Sequence, residues 1–153
     1  MAHSEQKQPS EVLEHVEQVW ARMQPNSPIY EFLLSDVEIL AASKSGSITA
    51  RMEVKPCHLN SKNTLHGTVS ACITDWAGSL CVAATGREKV GASTDIHTSF
   101  VSTAKEGDLL TISARAAKIG GTLAFTTVEI ERAGENGESI VVTTGSHTKY
   151  VKQ

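Results

Sequence analysis

The chain has 153 residues, of which 40% are hydrophobic and 20% are charged, and its formal net charge is −3. A chain of this length and composition is expected to form one domain and can bury a core without disulfides or metals. It shows no basic stripe and no Lys/Arg cluster, which excludes a typical nucleic-acid or membrane-surface protein. No apolar run is long enough to predict a membrane span.

The cysteines Cys57, Cys72 and Cys81 indicate a reducing compartment. Cys72 and Cys81 lie in one apolar segment, so we expect free buried thiols there rather than a disulfide. We recognise no signal peptide, and no arginine precedes Arg22. We therefore expect a cytoplasmic protein, with mitochondria as the alternative location.

The N-terminal region predicts a polar tail followed by a helix. Residues 1–10 are polar and expected to be disordered. Ser10 stands where an N-cap is expected, and apolar residues recur at helical spacing over 12–23. Pro25 and Pro28 are expected to end this helix.

A β-hairpin should follow. Residues 36–42 and 47–54 alternate apolar and polar side chains around a turn at 44–46. We assign residues 1–35 to an N-terminal polar tail and helix, and residues 36–153 to the main domain.

The segment 68–84 predicts a long helix that is apolar on nearly every side and therefore belongs inside the protein. The pair His66–Gly67 opens it. Strands are expected at 91–101, 108–119, 122–132 and 139–151, with a turn at Gly120–Gly121. The order predicts an α+β fold in which a hairpin and a four-strand antiparallel meander wrap around one central helix.

Asp75 is the one acid of the apolar helix. A carboxylate costs several kcal/mol in such a place unless something uses or satisfies it. It is a candidate general base or nucleophile. A structural acid bonded to backbone groups, or across a subunit interface, is equally compatible with the sequence.

Four further residues are candidates, three at or before the helix start and one, Ser93, at the start of the first long strand. The Gly67 N–H is an orphan donor at the positive end of the helix dipole and could stabilise an oxyanion, with His66 beside it. Asn60 and Ser93 could orient a water or hold a ligand. The residues alone also allow a flexible loop with a capping histidine, a turn asparagine and an ordinary strand serine.

Gly67 and Asp75 are eight residues apart, roughly 12 Å along one helix axis. That distance is too long for both to serve one reacting carbon. If both are catalytic, Asp75 must meet Gly67 of another subunit, which predicts an obligate dimer.

Other site chemistries find little support. Cys57 and His58 are adjacent, and no CxxC or HxxxH spacing is present, which argues against zinc. The sequence has no Gly-x-Ser-x-Gly elbow and no phosphate-binding P-loop. We expect neither a metal nor a cofactor.

Thr64-Leu65-His66-Gly67, with Asn60 ahead and Asp75 behind, resembles the signature of hotdog-fold acyl-CoA thioesterases. The resemblance is to the type that includes the phenylacetate-pathway group and thioesterase superfamily member 2. It extends over 93–96, 102–108, 118–126 and 145–149, so that it covers about residues 36–150. Thr68 departs from the family, which often has a second glycine there.

The resemblance implies a hotdog fold, a homodimer that pairs into a homotetramer, and hydrolysis of acyl-CoA to free acid and CoA in fatty acid metabolism. Gly67 N–H would hold the thioester carbonyl, with Asn60 and His66 nearby. Asp75 of the neighbouring subunit would activate water or attack the carbonyl, and Ser93 would place that water. A hotdog-fold hydratase or dehydratase and a non-catalytic acyl-CoA-binding module are the alternatives.

The same resemblance implies a groove for coenzyme A, in which Lys105, Lys118 and Lys149 would contact the phosphates. The residues of this groove would be Phe100, Ser102, Thr103, Lys105, Lys118, Ile119, Gly120, Gly121, Thr122, Leu123 and Tyr150.

Overall fold

A computed structural model describes residues 10–152, which form one antiparallel sheet and three α-helices. The helices are α1 (Glu11–Met23), α2 (Pro28–Leu33) and α3 (Gly67–Ala84). The strands are β1 (Glu38–Ser43), β2 (Ser47–Glu53), β3 (Ala92–Phe100), β4 (Leu109–Ile119), β5 (Leu123–Ala133) and β6 (Ser139–Tyr150). Short 3₁₀ turns lie at Gln24–Asn26 and Pro56–His58.

The predicted N-terminal helix is confirmed, but a second helix follows it. The Ser10 hydroxyl accepts the Leu13 N–H at 3.2 Å and caps α1. Pro28 does not end a helix; it occupies the first turn of α2, where its missing N–H costs nothing. The Ser27 hydroxyl caps α2 by accepting the Tyr30 N–H at 3.4 Å. The polar tail predicted at 1–10 lies almost entirely outside the described residues.

The six strands are ordered β1-β2-β4-β5-β6-β3, and all neighbours are antiparallel. The hairpin β1–β2 is confirmed, with Gly46 at a φ of 85° in its turn. The four-strand meander is wrong at β3, which pairs with β6 and not with β4. Strand patterning reports length and faces but not the partner, because every antiparallel pairing satisfies the same alternation.

Segment 101–108 carries the chain from β3 back to the middle of the sheet. The N–H groups of Val101 and Ser102 donate to Val142 O at 2.9 and 3.2 Å. Leu65 N–H then donates to Ala104 O at 2.8 Å, which ties this segment to the loop before α3. The connection thus passes the N-terminal end of the central helix.

Helix α3 packs against the sheet as predicted. Ile73, Trp76 and Leu80 are fully buried among sheet residues such as Ile112 and Ile130. Helix α1 adds its own apolar face, including Val16 and Val19, to the same core. The proposed division at residue 36 stays a prediction, and the N-terminal helices share the core of the sheet.

Strand β3 is an open edge. Among residues 10–152 it pairs with β6 on one side and with no strand on the other, and eight of its nine residues are exposed. Its large apolar side chains Ile96 and Phe100 are 40% and 63% exposed. An unpaired edge with exposed apolar side chains is suited to pairing with another strand. Within residues 10–152, no helix has the length and apolar character needed to cross a membrane.

Candidate active site

The carboxylate of Asp75 has a hydrogen-bond donor on each oxygen. Ser93 Oγ–H donates to Oδ1 at 3.0 Å, and the Tyr30 hydroxyl donates to Oδ2. The structure thus brings together two of the predicted site residues, Asp75 and Ser93. The side chain of Asp75 is 29% exposed, so the acid is half-buried and reachable in the subunit rather than sealed in the core.

His147, on β6, extends this arrangement. Its ring is fully buried, and Nε2 lies 2.8 Å from Ser93 Oγ and 3.5 Å from Asp75 Oδ1. Because the Ser93 hydroxyl donates its only proton to Asp75, its oxygen accepts from His147 Nε2–H. A neutral imidazole carries one proton, which lies on Nε2, so Nδ1 carries none, and Nδ1 has no hydrogen-bond partner among the described residues. The result is a hydrogen-bond chain in which His147 donates to Ser93 and Ser93 donates to Asp75.

A close contact with α3 fixes the position of the imidazole. A Cβ built on Gly78 would lie 2.5 Å from His147 Nδ1 and 2.7 Å from Thr126 Oγ1. Only glycine allows the ring to approach the helix so closely. Sequence reasoning missed His147, and the signal that could have found it was the histidine within the family-like stretch 145–149.

Lys149 is buried beside the hydrogen-bond chain of His147, Ser93 and Asp75, although the resemblance placed it among the phosphate partners. Its side chain is 3% exposed, and Nζ donates to Ser79 Oγ at 2.9 Å. Ser79 Oγ in turn donates to the backbone oxygen of Asp75 at 2.9 Å. Burial lowers the pKa of Lys149, and the nearby Asp75 opposes that shift. In this subunit, Lys149 points into the protein and away from any phosphate in solvent.

Burial, together with the charge of Lys149, lowers the pKa of His147 from 6.5 to about 4, although Asp75 and Asp95 oppose the shift. The imidazole is therefore neutral at neutral pH. The unfolded state binds a proton more readily than the folded state between pH 6.5 and 4. The stability that comes from the neutral imidazole is therefore present above pH 6.5 and is lost as the pH falls through this window.

We expect the protonation of His147 to lower the free energy of unfolding by roughly 3 kcal/mol between pH 6.5 and 4. His147→Gln keeps an N–H donor for Ser93 but cannot titrate, so its stability should depend less on pH. Urea unfolding of both proteins across this range measures the difference. Parallel pH profiles for the two proteins would contradict the assignment.

Tyr30 was also missed from the sequence. Burial raises the pKa of Tyr30, and its hydrogen bond to Asp75 raises it further, so the phenol stays protonated and acts as a donor. Its helix, α2, was not predicted, because Pro25 and Pro28 were taken as the end of the N-terminal helix.

At the start of α3, the predicted orphan donor is present. His66 is the N-cap, and its Nδ1 accepts the Thr68 N–H at 3.0 Å. No hydrogen bond found within residues 10–152 uses the N–H of Gly67. The ring of Phe100 lies against Gly67, where a Cβ would be 2.9 Å from Cζ. The Gly67 N–H is thus available to a ligand next to an exposed aromatic ring.

Asn60 shapes the loop before α3. Its Oδ1 accepts the N–H groups of Lys62 and Thr64 at 2.9 and 3.2 Å, and its Nδ2 donates to Thr64 Oγ1 at 3.0 Å. These contacts form an Asx-type turn. Asn60 therefore lies in the loop that leads to Gly67 and not with Asp75, and its role in catalysis stays a prediction.

The predicted site residues fall into two groups within the subunit. One group lies at the start of α3 and the end of β3, and includes Asn60, His66, Gly67 and 100–105. The other lies around Asp75 and the start of β3, where Tyr150 pairs with both Ala92 and Leu123. Between Ser93 and Phe100 the strand spans about 23 Å. The two groups therefore lie apart within one subunit.

The sequence profile described as Thioesterase superfamily matches residues 62–139, which include Gly67, Asp75 and Ser93. The chain belongs to the thioesterase superfamily. This thioesterase is 30% identical over 122 residues to acyl-coenzyme A thioesterase 13 of Homo sapiens, an alignment that covers 80% of this chain and 84% of the human one.

Solved structures show the fold. Thioesterase superfamily member 2 of zebrafish superposes with a TM-score of 0.79 at 33% identity, covering 92% of this chain and 99% of that one. A hypothetical thioesterase from Streptococcus pneumoniae, solved with coenzyme A, superposes with a TM-score of 0.67 at 22% identity over 76% and 88%. The predicted family and the predicted hotdog fold are confirmed, and the protein is an enzyme of the thioesterase class.

Proposed function

We propose that this thioesterase hydrolyses acyl-CoA thioesters to free carboxylic acids and CoA at sites shared between two subunits. The observation that carries the proposal is the reachable carboxylate of Asp75, held by Ser93 and lying about 12 Å along α3 from the unused N–H of Gly67. The name of the human relative supports acyl-CoA as the substrate class.

The open edge of β3 supports the shared site. In an antiparallel pairing of two β3 strands about a twofold axis, the end of β3 at Phe100 of one subunit lies near the start of β3 at Ser93 of its partner. Each Gly67 then approaches the partner's Asp75. The exposed apolar residues Ile96 and Phe100 become buried in the same step.

In the proposed reaction, Gly67 N–H binds the thioester oxygen and stabilises the negative charge that develops there. Asp75 takes a proton from a water whose oxygen attacks the thioester carbon. The C–S bond then breaks, and the proton passes to the departing thiolate. In the alternative route, Asp75 attacks the carbon itself and water cleaves the resulting anhydride.

The remaining side chains serve this step through hydrogen bonds. His147 donates to Ser93 Oγ, which keeps the Ser93 proton directed at Asp75. We propose Asn60 and His66 as neighbours of the thioester oxygen, since they lie next to Gly67 along the chain. Because water and these groups complete the proton balance, the proposal includes no metal and no cofactor other than the CoA of the substrate.

The CoA portion is proposed to bind between 100–105 of one subunit and 118–123 of the other, with Tyr150 at the latter end. Pairing through β3 brings these two segments together just as it joins Gly67 to Asp75. Lys105 and Lys118 would face the phosphates. The homotetramer, the place in fatty acid metabolism and the cytoplasmic location stay predictions.

The proposed function is tested by the release of CoA, followed with a thiol reagent, from short, medium, long and aryl acyl-CoAs. We expect turnover with at least one class, and the profile across the panel names the acyl group. A folded oligomer that binds CoA but releases none would contradict hydrolysis and favour a binding module. Loss of the double bond of an enoyl-CoA, without release of CoA, would favour a hydratase.

A further inference from the structure

We infer that Tyr30 is a positioning residue that holds the carboxylate of Asp75 in its reactive orientation. The inference rests on the proposed function. Tyr30 reaches Oδ2 from α2, whereas Ser93 reaches Oδ1 from β3. Because each oxygen has a donor from a different element, the carboxylate cannot rotate without losing a hydrogen bond.

Helix α2 is held at both ends, which places Tyr30 reproducibly. At its start, Ser27 Oγ accepts the Tyr30 N–H at 3.4 Å. At its end, the buried His58 donates from Nε2 to Leu33 O at 2.8 Å. His58 Nδ1 accepts the Lys55 N–H at 3.0 Å, which fixes the ring in the matching tautomer.

The aromatic ring of Tyr30 is anchored as well. It meets Trp20 of α1 edge-on, with centroids 5.7 Å apart and an interplanar angle of 61°. Trp20 meets Trp76 in the same way at 5.6 Å and 71°. Since Trp76 follows Asp75 in α3, this stack couples the position of the tyrosine to the helix that bears the carboxylate.

The hydroxyl has a specific task at this place. A base or nucleophile works only while one of its lone pairs points at the reacting atoms, and a freely rotating carboxylate spends part of its time misaligned. Tyr30 occupies one lone pair of Oδ2 and Ser93 occupies one of Oδ1, so the remaining lone pairs keep a fixed direction toward the reacting atoms. The N-terminal helices would then be part of the catalytic unit rather than a separate appendage.

The test is Tyr30→Phe, which keeps the ring against Trp20 and removes only the hydroxyl. We expect kcat to fall about tenfold or more, the effect of one hydrogen bond to a charged group, while KM stays unchanged because the hydroxyl does not contact the substrate. Ser35→Ala is the matched control, since it removes an exposed hydroxyl just after the same helix that donates to Asp36 at 3.3 Å. It leaves the Tyr30 hydroxyl and the cap of α2 in place, so its kcat should stay within about twofold of the wild type.

A second readout is taken on the wild type and does not depend on how Tyr30→Phe folds. In the wild type, the hydroxyl proton of Tyr30 should give a downfield, slowly exchanging NMR signal that is absent in Asp75→Ala. The inference is overturned if this signal is missing, if Tyr30→Phe keeps the wild-type kcat, or if Ser35→Ala loses as much activity as Tyr30→Phe. A wild type that releases no CoA from any thioester removes the proposed function itself, which is a distinguishable result.

Discussion

Asp75→Asn should lower kcat by about a thousandfold or more, whether Asp75 acts as base or as nucleophile. The amide keeps the shape of the side chain but can neither take a proton from water nor attack the thioester carbon. The hydroxyls of Tyr30 and Ser93, which now donate to the carboxylate, would still find one acceptor oxygen. The fold should therefore survive, and steady-state release of CoA measures the loss.

Asp36→Asn is the matched control, since it makes the same chemical change at an exposed aspartate whose ion-pair partner is Lys55. Its kcat should stay close to that of the wild type, because exposed ion pairs contribute little. If Asp75→Asn hydrolysed the substrate as fast as Asp36→Asn, Asp75 would be a structural acid, as the sequence alone also allowed.

Gly67→Pro should lower kcat by about a hundredfold to a thousandfold, the usual effect of removing one oxyanion donor. Proline removes the N–H without breaking α3, because Gly67 is the first residue of the helix. His66 before it is extended, with a ψ of 133°, which is the conformation that a following proline requires.

Gly67→Ala separates the lost donor from the added bulk. Alanine keeps the N–H but places a Cβ against the Phe100 ring, whose far edge can move aside. We expect Gly67→Ala to retain far more activity than Gly67→Pro. Equal losses of kcat in the two variants would show that the added bulk, and not the missing N–H, slows the reaction.

The sequence was informative where a residue contradicted its surroundings. Asp75 was recognised because a carboxylate in an apolar helix needs a reason, and Gly67 because it stands where a helix leaves an N–H unused. Their separation of roughly 12 Å follows from the sequence spacing alone, since helical rise is nearly constant. If both residues act on one thioester, this separation predicts a site shared between two subunits. The long helix and all six strands lie close to their predicted ranges.

What escaped prediction depends on contacts between distant segments. Tyr30 and His147 meet Asp75 across 45 and 72 positions in the chain, and neither differs in pattern from an ordinary core or strand residue. The alternation of apolar and polar residues likewise does not show that β3 pairs with β6. The Lys149 side chain faces the core because of its place on β6, which a motif match cannot report.

The central claim, a site shared between subunits, is tested most directly by mixing Asp75→Asn with Gly67→Pro subunits. Each parent is nearly inactive, but a heterodimer has one site that joins an intact Gly67 to the partner's intact Asp75. After complete exchange of subunits, we expect about a quarter of the wild-type activity, because half of the dimers are mixed and each has one working site. Activity no greater than that of the parents, with exchange verified, would contradict the shared site.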